Sequence, residues 1–205
     1  SDHGVMYGVI DFYLAAKKAG IRPILGCEVY TAARTRFDKM YEFDAQSGHL
    51  ILLAKNNTGY ENLLYIVSKA SLEGMYYKPR VDMDLLREHS EGIIALSGCL
   101  AGDVQRLILQ DNYQAAKEKA LEYSEIFQDG FYLELQNHGL KEDEAVIEGL
   151  VRLSDETGLP LVATNDVHYI EPDDARMQQV LMCIQTNKTV NDPNAMSFET
   201  DEFYL

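Results

Sequence analysis

Basic residues are scarce in this chain: 18 Lys and Arg stand against 33 Asp and Glu, a formal net charge of −15. The deficit is uneven, because residues 1–40 hold six basic and four acidic residues, which leaves about −17 for the rest. Affinity for a nucleic-acid backbone comes from Lys and Arg neutralising phosphates, so this composition makes a poor autonomous DNA binder. A nucleic-acid substrate would need a metal-lined cleft or a basic neighbour to bring it in. Cysteine is sparse as well: Cys27, Cys99 and Cys183 are scattered, which excludes a disulfide framework and fits a reducing, cytoplasmic setting. No apolar run approaches the roughly 20 residues of a membrane helix, and no signal-peptide pattern opens the chain. A Gly-rich phosphate loop, a Gly-x-Ser-x-Gly elbow and a Cys-x-x-Cys pair are all missing, which removes the usual competitors for a phosphate or acyl-transfer site.

What is present is enough for one domain over 1–205. The chain has 205 residues and 46% apolar content, sufficient to bury a sizeable core. Helical spacing runs from Val5 to Ala19 and stops at Gly20, a good C-cap. Ile21 to Tyr30 reads as a strand carrying Glu28, and residues 31–48 as a hairpin or long loop. A strand over 49–54, a turn over 56–59 and a helix over 60–72 follow. The Tyr76-Tyr77-Lys78-Pro79-Arg80 segment looks exposed, and Asp82 or Asp84 can cap a short helix ending near His89. Further strands over 92–96, 131–135 and 161–164 alternate with helices over 103–110, 113–127 and 142–157. A last helix starts after Glu171-Pro172, with Pro near its first position and acids in its first turn. Such alternation argues for a parallel-sheet α/β fold, barrel or doubly wound, in which ligands gather at strand C-termini.

Chemistry-bearing residues fall at those ends. Asn165-Asp166-Val167-His168 follows the apolar strand Leu161-Val162-Ala163, so Asp166 and His168 arrive two apart. Glu28 follows Ile24-Leu25, Cys99 follows Ile93-Ile94-Ala95-Leu96, and Asp2-His3-Gly4 precedes the first helix. Each alone has an ordinary explanation as a cap, a turn residue or a packed side chain. Together, imidazole, carboxylate and thiolate converging at strand ends describe a site for zinc, or for manganese where oxygen and nitrogen dominate. The chemistry open to such a set is metal-assisted hydrolysis of a phosphate ester. His49 is less comfortable: it opens a strand, the wrong end of a simple barrel, and reads equally as a surface histidine after Ser47-Gly48. His89 reads as solvated, and His138 as intermediate, with Glu134 and Gln136 near the same mouth. Cys27 faces away from Glu28, and Cys183 belongs to an apolar helix face.

Several longer motifs add to this: Ser1-Asp2-His3-Gly4-Val5-Met6-Tyr7-Gly8, Gly26-Cys27-Glu28-Val29-Tyr30, Tyr76-Tyr77-Lys78-Pro79-Arg80, Ala95-Leu96-Ser97-Gly98-Cys99-Leu100-Ala101-Gly102, Ala163-Thr164-Asn165-Asp166-Val167-His168-Tyr169 and Phe198-Glu199-Thr200-Asp201-Glu202-Phe203-Tyr204. They span the whole chain, which resembles the PHP (polymerase and histidinol phosphatase) domain of the bacterial replicative DNA polymerase III α subunits. The resemblance implies a (βα)7-type PHP barrel, a distorted TIM-like fold, with a centre of two or three divalent metal ions. It implies metal ligation by His3, Glu28, His49, Cys99, Asp166 and His168, with Asp2 supporting His3 from behind; Cys99 stands where other members use His.

The family pattern opens with a strand bearing His-x-His that this sequence does not contain. The resemblance therefore implies an N-terminally truncated domain without its first βα unit, incomplete in metal and weak in catalysis on its own. In an intact parent it implies a metal-dependent 3′–5′ exonuclease or phosphoesterase attached to a DNA-directed DNA polymerase, with DNA and other replicase subunits as partners. The alternative is a structural barrel that braces the polymerase and docks a proofreading exonuclease subunit without catalysis. A free-standing histidinol-phosphatase-like enzyme fits less well, because the 76–80 and 198–204 stretches look like the polymerase branch.

Overall fold

The computed structural model describes residues 1–205, the side chain of Asp129 excepted. The chain begins with a two-residue strand, β1 (Asp2–His3), and enters helix α1 (Val9–Lys18). The helix starts later than its apolar spacing suggests, because Asp2 Oδ2 accepts from the Gly8 N–H at 3.1 Å and holds residues 4–8 in a turn. β2 (Gly26–Thr31) follows and is buried along its whole length; residues 21–25 stay outside the sheet. An excursion carrying the one-turn helix α2 (Tyr41–Asp44) leads into β3 (Gly48–Ala54). Leu50 and Leu52 of β3 are fully buried, as period-two alternation on a sheet face requires.

Helix α3 (Asn57–Leu72) is capped by Asn56, whose side chain accepts from the Gly59 N–H at 2.9 Å, satisfying one of the donors a helix start leaves open. Strands β4 (Met75–Tyr76) and β5 (Lys78–Val81) come next, then the short helix α4 (Met83–Glu88). Asp82 is its N-cap, accepting from the Leu85 N–H at 3.0 Å. Then come β6 (Ile93–Leu96), α5 (Asp103–Leu109), α6 (Tyr113–Phe127), β7 (Phe131–Leu135), α7 (Lys141–Thr157), β8 (Leu161–Ala163) and α8 (Ala175–Gln185). Helix α7 buries Val146, Leu150 and Leu153, one face at helical spacing. It ends at Gly158 with φ +75°, the left-handed C-cap that glycine adopts without penalty.

The sheet order is β4-β5-β2-β3-β6-β7-β8, with β1 beside β2. β1 and β5 share one edge of β2: Asp2 and His3 lie opposite Cys27 and Glu28, and Arg80 and Val81 lie opposite Tyr30 and Thr31. Two expectations are corrected here. The sheet is mixed, because β3 runs antiparallel to both β2 and β6. It is also open: β8 pairs with β7 alone among the described residues, so no closed (βα)7 barrel forms. The reversal follows from the connection between β2 and β3, which carries only one helical turn and no crossover helix to return the chain to the far end of the sheet. The core lies between the sheet and helices α3, α5, α6 and α7.

Two surface readings also change. Arg80 is fully buried, with its guanidinium donating to the carbonyls of Gly74, Arg36, Asp38 and Asp44. His89 is half-buried on the Tyr65 ring, centroids 4.2 Å apart, with Nδ1 3.2 Å from Asn62 Oδ1. Cys27 and Cys183 are buried as the sequence suggested. No helix among the described residues is long and apolar enough to cross a membrane.

Candidate metal centre

The reversed direction of β3 decides the geometry of the site. β2, β6, β7 and β8 all run toward one rim, and β3 starts there. In the β2–β3 register His49 lies opposite Tyr30, and Ile51 opposite Glu28. Glu28 and Tyr30 share one face of β2 by the period of two, which places the His49 ring within reach of both. Its Nδ1 lies 2.6 Å from Glu28 Oε1, and its ring meets Tyr30 edge-on at 5.2 Å. The histidine that opens a strand is therefore at the same rim as the residues that end strands.

Cys99 reaches this rim from the end of β6. Its Sγ lies 3.5 Å from His49 Nδ1. Gly98 makes this approach possible: its φ is +86°, and a Cβ there would stand 2.9 Å from the His49 carbonyl oxygen. Glu28, His49 and Cys99 each offer a ligand atom within 4.8 Å of the others. A carboxylate, an imidazole and a thiol at that spacing are a donor set that zinc accepts. Glu28 Oε1 strengthens the fit, since it is buried without a hydrogen-bond partner. His49 Nδ1 stands 2.6 Å from it, within reach of the same ion. An orphaned buried carboxylate oxygen is costly, and a cation is the partner that would satisfy it.

The electrostatics are those of a site with competing charges. Burial raises the Glu28 pKa, but contact with His49 and the nearby His3 and His168 rings outweigh it and hold the carboxyl below its ordinary value. Cys99 is pushed up to about 12, first by burial and then by the negative charges of Asp166 and Glu28. Burial also raises Asp166, with Glu28 adding to the effect and His168 opposing it.

The remaining candidates sit at the same mouth with different roles. His3 Nε2 is 3.6 Å from Glu28 Oε1, and its ring centroid is 5.5 Å from that of His168. His168 Nδ1 lies 2.6 Å from the backbone oxygen of Asp166; an acceptor at that distance fixes Nδ1 as the protonated nitrogen and leaves Nε2 with a free lone pair. Asp166 itself has φ +44°, a left-handed conformation that Asp tolerates better than most residues. Asp2 directs its carboxylate to Gly8 rather than to the rim, closing the turn that follows His3. His138 is buried and stacked on Phe203 at 3.9 Å, with Nε2 3.0 Å from the Asn165 oxygen. It supports the Asn165–His168 loop from beneath.

Residues 1–138 match the family model described as the PHP domain. The chain belongs to the PHP domain family. It is 48% identical over 207 residues to DNA polymerase III subunit alpha of Treponema pallidum. It is 47% identical over 206 residues to that of Borreliella burgdorferi, and 46% over 207 to that of Thermus aquaticus. In each case the whole chain aligns, but it covers only 17–18% of the relative's length.

Within this PHP domain, an aromatic wall that no local sequence pattern announces stands around His168. Phe198 meets the His168 ring at 4.8 Å and Phe203 meets it at 5.8 Å, while the Phe203 carbonyl accepts from the His168 N–H at 2.8 Å. The available signal is the Phe198–Tyr204 motif, which marks the polymerase branch but whose place at the rim depends on its return to the Asn165–His168 loop. Glu134 lies near the mouth without belonging to the donor set: both of its carboxylate oxygens are occupied there by protein donors.

Proposed function

We propose that residues 1–205 are a single PHP domain of a bacterial, cytoplasmic replicative DNA polymerase III α subunit, and that in the intact polymerase it is a metal-dependent phosphoesterase acting as a 3′–5′ exonuclease. One observation carries this reading: the reversal of β3 brings His49 to Glu28 and Cys99 and leaves a buried Glu28 oxygen without a partner. A brace for a polymerase has no need of that donor set. Glu28, His49 and Cys99 would hold one ion; His3, Asp166 and His168 would complete a centre of two or three, zinc or manganese. Such ions neutralise charge on a phosphate oxygen and make water a nucleophile at neutral pH.

The residues of the chain prepare that chemistry. Glu28 holds negative charge at the base of the cleft, opposite the His3 and His49 rings. The carbonyl of Asp166 orients His168, and Phe198 and Phe203 shield that ring from water. The acidic surface repels a nucleic-acid backbone, so DNA is delivered to the site by the rest of the polymerase and its replicase partners.

The test is release of nucleotides from the 3′ end of single-stranded DNA by the intact polymerase, compared with Asp166→Asn. Loss of metal-dependent hydrolysis with polymerisation retained is the expected result; equal hydrolysis by mutant and wild type would remove the centre from catalysis. A second reading is favoured by the exposed apolar side chains Ile10, Phe12 and Leu14 on α1 and Met177, Leu181 and Ile184 on α8. These are docking faces for the rest of the polymerase or for a proofreading subunit, as expected of a domain that braces without catalysis.

A further inference from the structure

Glu134 is 4% exposed and is not one of the three residues whose ligand atoms cluster at the rim. Its Oε2 accepts from the Gly98 N–H at 2.9 Å. Its Oε1 accepts from Thr164 Oγ1 at 2.5 Å and from Gln136 Nε2 at 3.2 Å. Gly98 is the residue before Cys99, and Thr164 lies two before Asp166. One carboxylate on β7 therefore ties the segment leaving β6 to the segment leaving β8. The same segment is gripped from its other side: Gln105 Nε2 donates to Ser97 Oγ at 2.7 Å and to the Gly98 oxygen at 2.8 Å. Ser97 Oγ in turn accepts from the Glu134 N–H at 2.8 Å.

We infer that Glu134 is a positioning residue that fixes Cys99 and Asp166 relative to each other by clamping Gly98 to Thr164. It is not itself a ligand, since both oxygens already receive protein hydrogen bonds. The chemistry explains why a carboxylate is needed. Three donors converge on two oxygens, and no neutral side chain of that length offers two acceptor atoms. Glutamine can accept at one end only and presents an amide N–H at the other. Aspartate keeps both acceptors but is one methylene too short to span two strands. Charge-assisted hydrogen bonds of this kind, isolated from water, are among the stronger polar contacts in a protein.

The consequence for Cys99 rests on the proposed metal centre; the clamp itself does not. Groups that orient metal ligands from behind typically contribute 10–100-fold to metal affinity, which sets the expected size of the effect. Two measurements on the intact polymerase separate the two ideas: the rate of Cys99 alkylation without metal, resolved by peptide mass spectrometry, and titration with Co2+ followed by its thiolate charge-transfer absorption.

With the clamp intact, Cys99 should alkylate slowly. In Glu134→Ala it should alkylate about tenfold faster, and Co2+ affinity should fall at least tenfold with a weaker thiolate band. Glu134→Gln and Thr164→Val should fall between, and they carry the test if Glu134→Ala does not fold. A purely structural role would lower the unfolding midpoint and leave the thiolate band of the folded protein intact. Faster alkylation with no Co2+ uptake even by wild type would sustain the clamp and remove the metal centre. Unchanged alkylation and an unchanged thiolate band in all three variants would overturn the inference, whatever metal the wild type binds.

Discussion

Replacing Arg80 by methionine should be among the most damaging single changes outside the rim. Arg80 is 1% exposed. Its Nε donates to the Gly74 oxygen at 3.1 Å, one terminal nitrogen to the Asp44 oxygen at 3.3 Å, and the other to the Arg36 and Asp38 oxygens at 3.2 and 2.8 Å. Burial lowers its pKa, with Asp44 opposing the shift, yet a guanidinium stays charged throughout the working range of pH. Methionine would preserve the buried stem and delete every donor. Hydrogen bonds to a charged group contribute about 1.5–3 kcal/mol each. Their sum is not additive, and the loop carbonyls can partly rehydrate, so the expected loss is about 3–5 kcal/mol. In a chain of this size that corresponds to a midpoint fall of roughly 10 °C. Lys78→Met, at an exposed position two residues away whose ammonium lies over Tyr30, should cost about 1 kcal/mol or less. Urea unfolding of the 205-residue chain reads both. Arg80→Met within about 1 kcal/mol of wild type would refute the claim that its guanidinium holds the 36–44 excursion to the sheet.

Three further outcomes are expected. Gly98→Ala should cost about 1–2 kcal/mol for its left-handed backbone and separate Cys99 from His49, seen as weaker zinc binding; undiminished affinity would show that the close approach does not matter. Zinc at a hundred times its dissociation constant should stabilise the wild-type chain by about 2.7 kcal/mol, and Glu28→Gln should forfeit most of that gain in a thermal shift assay. Lys117 and Arg152 hold Glu156 down at about 2. A depressed carboxylate stabilises above its unfolded pKa, and that stability disappears as pH falls through the folded value. Glu156→Gln should therefore be less stable than wild type at pH 7, with the gap closing as pH falls from about 4 toward 2; a gap that widened on acidification would contradict the pairing.

The helices and most strands were legible because their apolar periods and caps are local: Asp82 caps a short helix as one of two acids the sequence offered, and the helix expected over 142–157 ends at Thr157. Asn56 is a helix cap rather than the turn residue it resembles, because its side chain closes on Gly59. Strand direction was not, since it depends on which side of the sheet a connection crosses. That single unknown made His49 look misplaced and an open mixed sheet look parallel. Arg80 looked exposed because charged residues usually are; nothing in Tyr-Tyr-Lys-Pro-Arg shows that backbone carbonyls from a distant loop will surround it. Glu134 and Gln136 read as side chains near the mouth, and the partners that define Glu134 include Gly98 and Thr164, from the segments that leave two other strands. Residue types at strand ends pointed to the candidate site, but its geometry came from long-range pairing.

Anomalous diffraction from crystals of the chain grown with zinc tests the central claim most directly. The expected result is a peak among Glu28, His49 and Cys99, about 2.0–2.3 Å from a carboxylate oxygen, an imidazole nitrogen and the sulfur. A fully occupied peak elsewhere, or none with these three side chains in their present positions, would contradict it.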